Sequence, residues 1–231
     1  MLVGFHVEGW DHLILGAYLA KLAGIAEGEI EADCVESDGR GWQFVLDMLP
    51  KALHRFYAKC SRLAVVGVDN DGNLNVMSGD LPEDPHHPRH WLHAARKAEN
   101  PNCRWCRLLS RVEETRPDLH WIPGKSGQDW PVVIAVPVEM IEAWLLTTQA
   151  LLEPGRGSMY AENEQRSRHK TLFYGKPEPS KIDVETKALP LIRAMTDNHL
   201  QALRQYSKSF GQFAEQIDQC REAIVAGADC W

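Results

Sequence analysis

Apolar and polar positions along the chain follow two alternating rhythms. Leu2–Val7 is a short apolar run that stops at Glu8-Gly9, the pattern of a strand entering a turn. From Asp11 to Leu22 the apolar residues Leu13, Ile14, Ala17, Tyr18 and Leu22 fall near a 3.6-residue period, which predicts a helix with Asp11 placed to cap it. Glu31–Glu36 reads as a second strand and Ser37–Gly41 as a turn. Gly41–Tyr57 follows as a helix in which Pro50 marks a kink or break. Leu63–Val68 is a β-branched run that ends abruptly at Asp69, Asp71 and Gly72. Val132–Val136 repeats the buried-strand pattern and passes through Pro137 into a strongly apolar helix over Glu139–Leu152. Strands alternating with helices of these lengths predict an α/β fold, a mostly parallel sheet flanked by helices.

Other stretches depart from that rhythm. Pro82–Arg116 concentrates His86, His87, His90, His93, Cys103 and Cys106 and reads as an insertion or subdomain edge. Trp121–Gly127 is loop-like. Glu153–Lys187 is polar and rich in Gly, Pro and Ser, the composition of a long loop or linker. Ala188–Gly227 is helical again, in two pieces. The expected organisation is a catalytic domain over 1–152 with an insertion near 82–116, a linker over 153–187, and C-terminal helices over 188–231 packing on the domain.

Composition narrows the class. The chain has 231 residues, 44% hydrophobic and 25% charged, which is ordinary for a globular protein of one large domain or one domain plus an appendage. Its formal net charge of −7 argues against nucleic-acid packaging but leaves a nuclease open, because metals supply local positive charge. Six scattered cysteines do not make a disulfide scaffold. The N-terminal stretch MLVGFHVEGWDH lacks the pattern of a secretory signal, and no apolar run approaches the length of a membrane span. These features predict a soluble, cytoplasmic, reduced protein without membrane association, its oligomeric state open.

The candidate chemistry begins with carboxylates. Ligands bind at the carboxyl ends of the strands in an open α/β sheet. Asp69 and Asp71 at such an end repel each other unless a cation or proton lies between them, and Mg²⁺ is the simplest hard cation for oxygen ligands. Glu8 ends the first strand and Glu142 lies on the helix after VVIAV, so both can join the pair if the strands are parallel neighbours. Converging there, these acids would hold one or two Mg²⁺ or Mn²⁺ ions that activate water for an in-line phosphoryl displacement. Taken singly, each acid reads equally as a helix cap or a solvated turn residue.

The Glu-Gly of VEGWD together with the Asp-x-Asp of VVGVDNDG resembles the Toprim domain of topoisomerases, primases, the small ribosomal-RNA maturase and OLD-type nucleases. The segment AVPVEMIEAWLL is similar to a strand-then-helix signature of small bacterial Toprim-related proteins associated with phage defence. The resemblance spans roughly Leu2–Leu152. It implies Glu8 as general acid/base or metal ligand, Asp69 and Asp71 as Mg²⁺ ligands, and Glu142 as a further ligand or orienting carboxylate. It also implies nucleic acid as substrate and an ATPase subunit of a defence complex as a partner.

A second set has zinc-ligand chemistry. Cys103-x-x-Cys106, preceded by His90-x-x-His93, offers two thiolates from a tight turn and imidazoles for a tetrahedral structural Zn²⁺ site, with a cysteine pair beside a surface histidine cluster as the alternative. Lys125 within the Gly turn PGKSG, with His120 upstream, is a candidate phosphate binder, although the P-loop spacing is absent. Arg166, Arg168, His169 and Lys170 form a basic cluster that either tracks a nucleic-acid backbone or is a solvated surface. Of the eight tryptophans, Trp144 reads as core, while Trp10 beside Glu8 either stacks a base or shields the site.

Together these readings predict a Mg²⁺-dependent Toprim-like nuclease. The chain is too short to hold the machinery of a topoisomerase or the additional modules of a primase. The alternatives are a non-catalytic Toprim-fold subunit that binds a partner ATPase or nucleic acid, and a metal-dependent phosphatase.

Overall fold

A computed structural model describes residues 1–35, 41–69, 104–115, 130–137, 140–163 and 168–225. Four strands, β1 (Leu2–Val7), β2 (Glu31–Cys34), β3 (Leu63–Gly67) and β4 (Val132–Ala135), form one sheet in the order β2-β1-β3-β4. Every pairing is parallel, with Val7 opposite Gly67 and Gly67 opposite Ala135. The carboxyl ends of β1, β3 and β4 therefore lie along one edge.

Helices cover both faces, which is why the strands read as unbroken apolar runs. On one face Val3, Phe5, Val7, Val65 and Val133 pack with Ile14, Tyr18 and Leu22 of α1 (Asp11–Ala23). Helix α2 (Gly41–Ala58) and α3 (Arg104–Thr115) cover the other face, where Leu49, Leu53, Phe56, Trp105, Leu108 and Val112 meet Ala64, Val66 and Ile134. Gly4 faces α2 so closely that an added Cβ would sit 2.2 Å from Cγ of Phe56. Gly4→Ala is expected to cost about 1–3 kcal/mol through overpacking, read as a lower urea midpoint with an unchanged slope.

The chain continues through α4 (Ile141–Leu152) and α5 (His169–Tyr174). A helical stretch follows, from α6 (Lys181–Asp183) through a π turn at Val184–Ala188 into α7 (Leu189–Arg193). Helices α8 (Asp197–Tyr206) and α9 (Lys208–Val225) complete it. Phe210, Phe213 and Ile217 of α9 belong to the same buried cluster as α1 and the sheet. The side-chain amide of Gln216 accepts from the Ile134 N–H and donates to the Ile134 carbonyl, both at 2.9 Å, along the outer edge of β4.

Several expectations change. Residues 104–115, within the expected insertion, form a helix whose Trp105, Leu108 and Val112 make an apolar stripe against α2 and the sheet. Within 153–187, His169–Tyr174 and Lys181–Asp183 are helical, and Tyr174 and Val184 are buried in the main core. Helix α2 runs through Pro50 without ending there. The last stretch divides into three helices rather than two, and β2 ends at Cys34. The N-cap of α1 is Trp10, which leaves Asp11 as a first-turn acid and not the cap. Cys60 is disulfide-bonded, unlike the fully reduced chain expected. Among the described residues no helix is long and apolar enough to cross a membrane.

Candidate active site

The parallel register decides which acids meet. Glu8 directly follows β1, and Asp69 lies two positions beyond Gly67 on the adjacent β3, so neighbouring strand ends deliver both to one edge. Gly9 takes a left-handed φ of 53° and lets the chain turn sharply from Glu8 into α1. This turn places Asp11 in the same pocket. The buried Asp69 carboxylate accepts from the Ile141 N–H at 3.1 Å. It thus occupies the N-terminus of α4, where free amides and the helix dipole favour an anion. Glu142, the next residue, enters from that first turn.

Glu8, Asp11, Asp69 and Glu142 line a cavity of about 340 Å³ together with Trp10, Gly41, Lys170, Tyr174 and the segment Pro177–Pro179. The crowding is visible in their acidities. Burial, followed by the charge of Asp69, pushes Glu142 up to about 7, and Lys170 opposes this. Burial, then Asp69 and Glu142, raises Asp11 well above the usual carboxylate range. Oε2 of Glu142 is buried and has no hydrogen-bond partner among the described residues. Leaving a carboxylate oxygen dry and unpaired is costly, so this atom fits a cation or a bound ligand group.

Arg104 of α3 is buried and donates to the Asp69 main-chain carbonyl, fixing the end of β3. Its guanidinium lies 5.0 Å from the Trp42 ring centroid, and that of Arg107 lies 4.6 Å from the same ring. Burial lowers the Arg104 pKa, while the charges of Glu8 and Asp69 oppose the shift.

Of the predicted acids, Glu8, Asp69 and Glu142 come together, and Asp71 lies outside the described residues. So do His90, His93, Cys103, His120 and Lys125, while Cys106 lies in α3 with its side chain outside the described set. Among the described residues no group of three or more His, Cys, Asp or Glu side chains is arranged to hold a metal ion.

The basic cluster divides. Arg168 is exposed, and Arg166 is outside the described residues. His169 is buried with Nε2 at 2.7 Å from the Ala161 carbonyl, so its role is structural. Lys170 alone of the described members lines the pocket. Sequence reasoning missed Tyr174, Arg104 and the pocket role of Asp11. The only signal for Asp11 was its closeness to Glu8, and Lys170 and Tyr174 lie one helical turn apart in a stretch too short to show a period.

Fold and site together define a parallel-sheet α/β protein with a carboxylate pocket at the carboxyl edge of its central strands. Compared with protein-family models, with characterised proteins and with solved structures, the chain matches none.

Proposed function

We propose that this protein is a Mg²⁺- or Mn²⁺-dependent phosphodiesterase of Toprim type that hydrolyses nucleic acid. The reading is carried by the convergence of Glu8, Asp69 and Glu142 in one pocket at adjacent strand ends, with Oε2 of Glu142 buried and unpartnered. Hard oxygen donors suit Mg²⁺, which takes one or two protein carboxylates and keeps waters for its remaining positions. Asp69 and Glu142 would hold the ion, with Glu8 and Asp71 as further ligands. When bound, the ion supplies a water activated near neutral pH and charge neutralisation on the phosphoryl group.

The protein's own groups do the rest. The Ile141 N–H and Arg104 hold Asp69 in place through its side chain and its carbonyl. In the absence of the ion, burial and the charge of Asp69 raise Glu142 to about 7, a repulsion that a bound cation would relieve. Lys170 brings positive charge into the pocket, where it opposes the raised pKa values of Glu142 and Asp11.

Nucleic acid is favoured over a small phosphoester because of Trp10. This indole is 44% exposed at the pocket, whereas Trp105, Trp130 and Trp144 are at most 7% exposed. An exposed aromatic plane beside a phosphate site can stack a base. Membership of a phage-defence complex with an ATPase partner, and a structural Zn²⁺ at His90, His93, Cys103 and Cys106, belong to the same proposal and rest on the sequence.

The test is incubation of the purified chain with supercoiled plasmid and with RNA in Mg²⁺, Mn²⁺ or EDTA. Metal-dependent cutting that is lost in EDTA and in Asp69→Asn is expected. Equal background from wild type and Asp69→Asn would eliminate catalysis by the chain alone and leave the non-catalytic subunit.

A further inference from the structure

Part of the pocket lining belongs to α5, a helix that the metal chemistry above does not require. Lys170 and Tyr174 are one turn apart on it, and both line the pocket. Tyr174 is 2% exposed and its hydroxyl has no hydrogen-bond partner among the described residues. Oε2 of Glu142 is in the same condition in the same cavity. A phenol and a carboxylate are complementary, and within reach they would bond each other. They do not, so the space between them is shaped for a group that accepts from the phenol on one side and meets the carboxylate side, through a cation, on the other. A phosphoryl group has that character: oxygens that accept hydrogen bonds and negative charge that suits both a cation and an ammonium.

We propose that Tyr174 is a substrate-binding residue whose hydroxyl donates to a non-bridging phosphoryl oxygen, with the Lys170 ammonium one turn earlier neutralising the same group. This rests on the reading of the pocket as a metal-dependent phosphodiesterase site. It assigns the carboxylates to one side of the phosphate and α5 to the other. The same placement explains why residues 168–174 pack against α4: anchored by His169 on the Ala161 carbonyl, the helix carries its donor pair to the strand ends.

The experiment measures thermal stability of the full chain against Mn²⁺, and then against inorganic phosphate in the presence of Mn²⁺. It uses wild type, Tyr174→Phe, Lys170→Gln and Asp69→Asn. Apparent affinity is taken from the concentration dependence within each variant, so any difference in intrinsic stability drops out. Tyr174→Phe keeps the buried ring and removes only the hydroxyl. Phosphate affinity is expected to fall roughly tenfold or more in Tyr174→Phe and in Lys170→Gln, as for a lost hydrogen bond to a charged group, while the Mn²⁺ response is kept.

Equal phosphate affinity in wild type and Tyr174→Phe would overturn the inference and leave the hydroxyl to a bridging water. Failure of wild type to bind phosphate at all would overturn it too. A missing Mn²⁺ response in wild type, or one unchanged in Asp69→Asn, counts against the metal reading instead. A phosphate response that still depends on Tyr174 would then uphold the inference by itself.

Discussion

At pH 8 without divalent metal, Glu142→Gln is expected to be more stable than wild type by about 3 kcal/mol, although it loses metal-dependent cleavage. The size follows from the raised pKa of Glu142, from 4.5 to about 7, with each unit equivalent to about 1.4 kcal/mol. The folded protein holds this proton more tightly than the unfolded chain does. Between the two values the native state therefore carries more bound protons, and stability falls as pH rises across that window. Below it both states are protonated and the penalty is absent. Above it the folded protein bears the full cost of a buried charge beside Asp69.

Gln keeps the volume of Glu and removes the charge, and its amide can donate to neighbouring carboxylates. Wild type and variant should coincide near pH 4 and diverge towards pH 8, by several degrees in melting temperature for a chain of this size. Mg²⁺ or Mn²⁺ should narrow the gap by stabilising wild type selectively. Cleavage should drop about a hundredfold or more, because a proposed ligand of the metal is gone. Paired pH–melting curves with and without metal decide the matter. A variant less stable than wild type at pH 8, or a gap that ignores pH, would show that Glu142 is not held against its own charge.

Glu162→Ala should act in the opposite direction, destabilising by roughly 4 kcal/mol from the loss of several bonds to one buried charge. Glu162 is 1% exposed. Its Oε1 accepts from the hydroxyls of Ser207, at 2.6 Å, and Ser209, and from Nε1 of Trp144 at 3.2 Å, while Oε2 accepts from the Lys208 N–H at 3.0 Å. One anion thus serves the N-terminus of α9, the turn before it and the central indole of α4. Alanine would remove this acceptor from the Lys208 amide and open a cavity beside Trp144, which packs on Phe210 at 5.3 Å and Tyr18 at 6.0 Å. Glu162→Gln, which retains one acceptor oxygen, should fall between alanine and wild type. Urea unfolding at pH 7 measures all three, and an alanine variant within about 1 kcal/mol of wild type would mean that water replaces the carboxylate.

The contrast between these two glutamates shows what the sequence makes legible. Glu142 stands just after an apolar strand, and the register of parallel strands brings it to Glu8 and Asp69 by simple topology, so local pattern sufficed. Glu162 lies in a polar stretch read as linker, and its donors Ser207, Lys208 and Ser209 lie more than forty positions downstream. Tyr174 was hidden for the same reason: long-range packing puts it in the pocket beside Lys170, and a helix of six residues offers no period to read. For α3 the signal was present, with apolar Trp105, Leu108 and Val112 at helical spacing. The neighbouring histidines and cysteines drew attention to ligand chemistry and away from that stripe.

Gln216 carries a consequence for association. Its amide offers one donor and one acceptor, as a peptide unit does, and both are engaged by Ile134 on the outer side of β4. In hydrogen-bonding terms the helix supplies a single rung of a fifth strand. A guest strand seeking that margin meets occupied groups and must first displace α9, whose Phe210, Phe213 and Ile217 are rooted in the core. Self-association by sheet extension is thereby discouraged on the β4 side, and among the described strands β2 is the other edge.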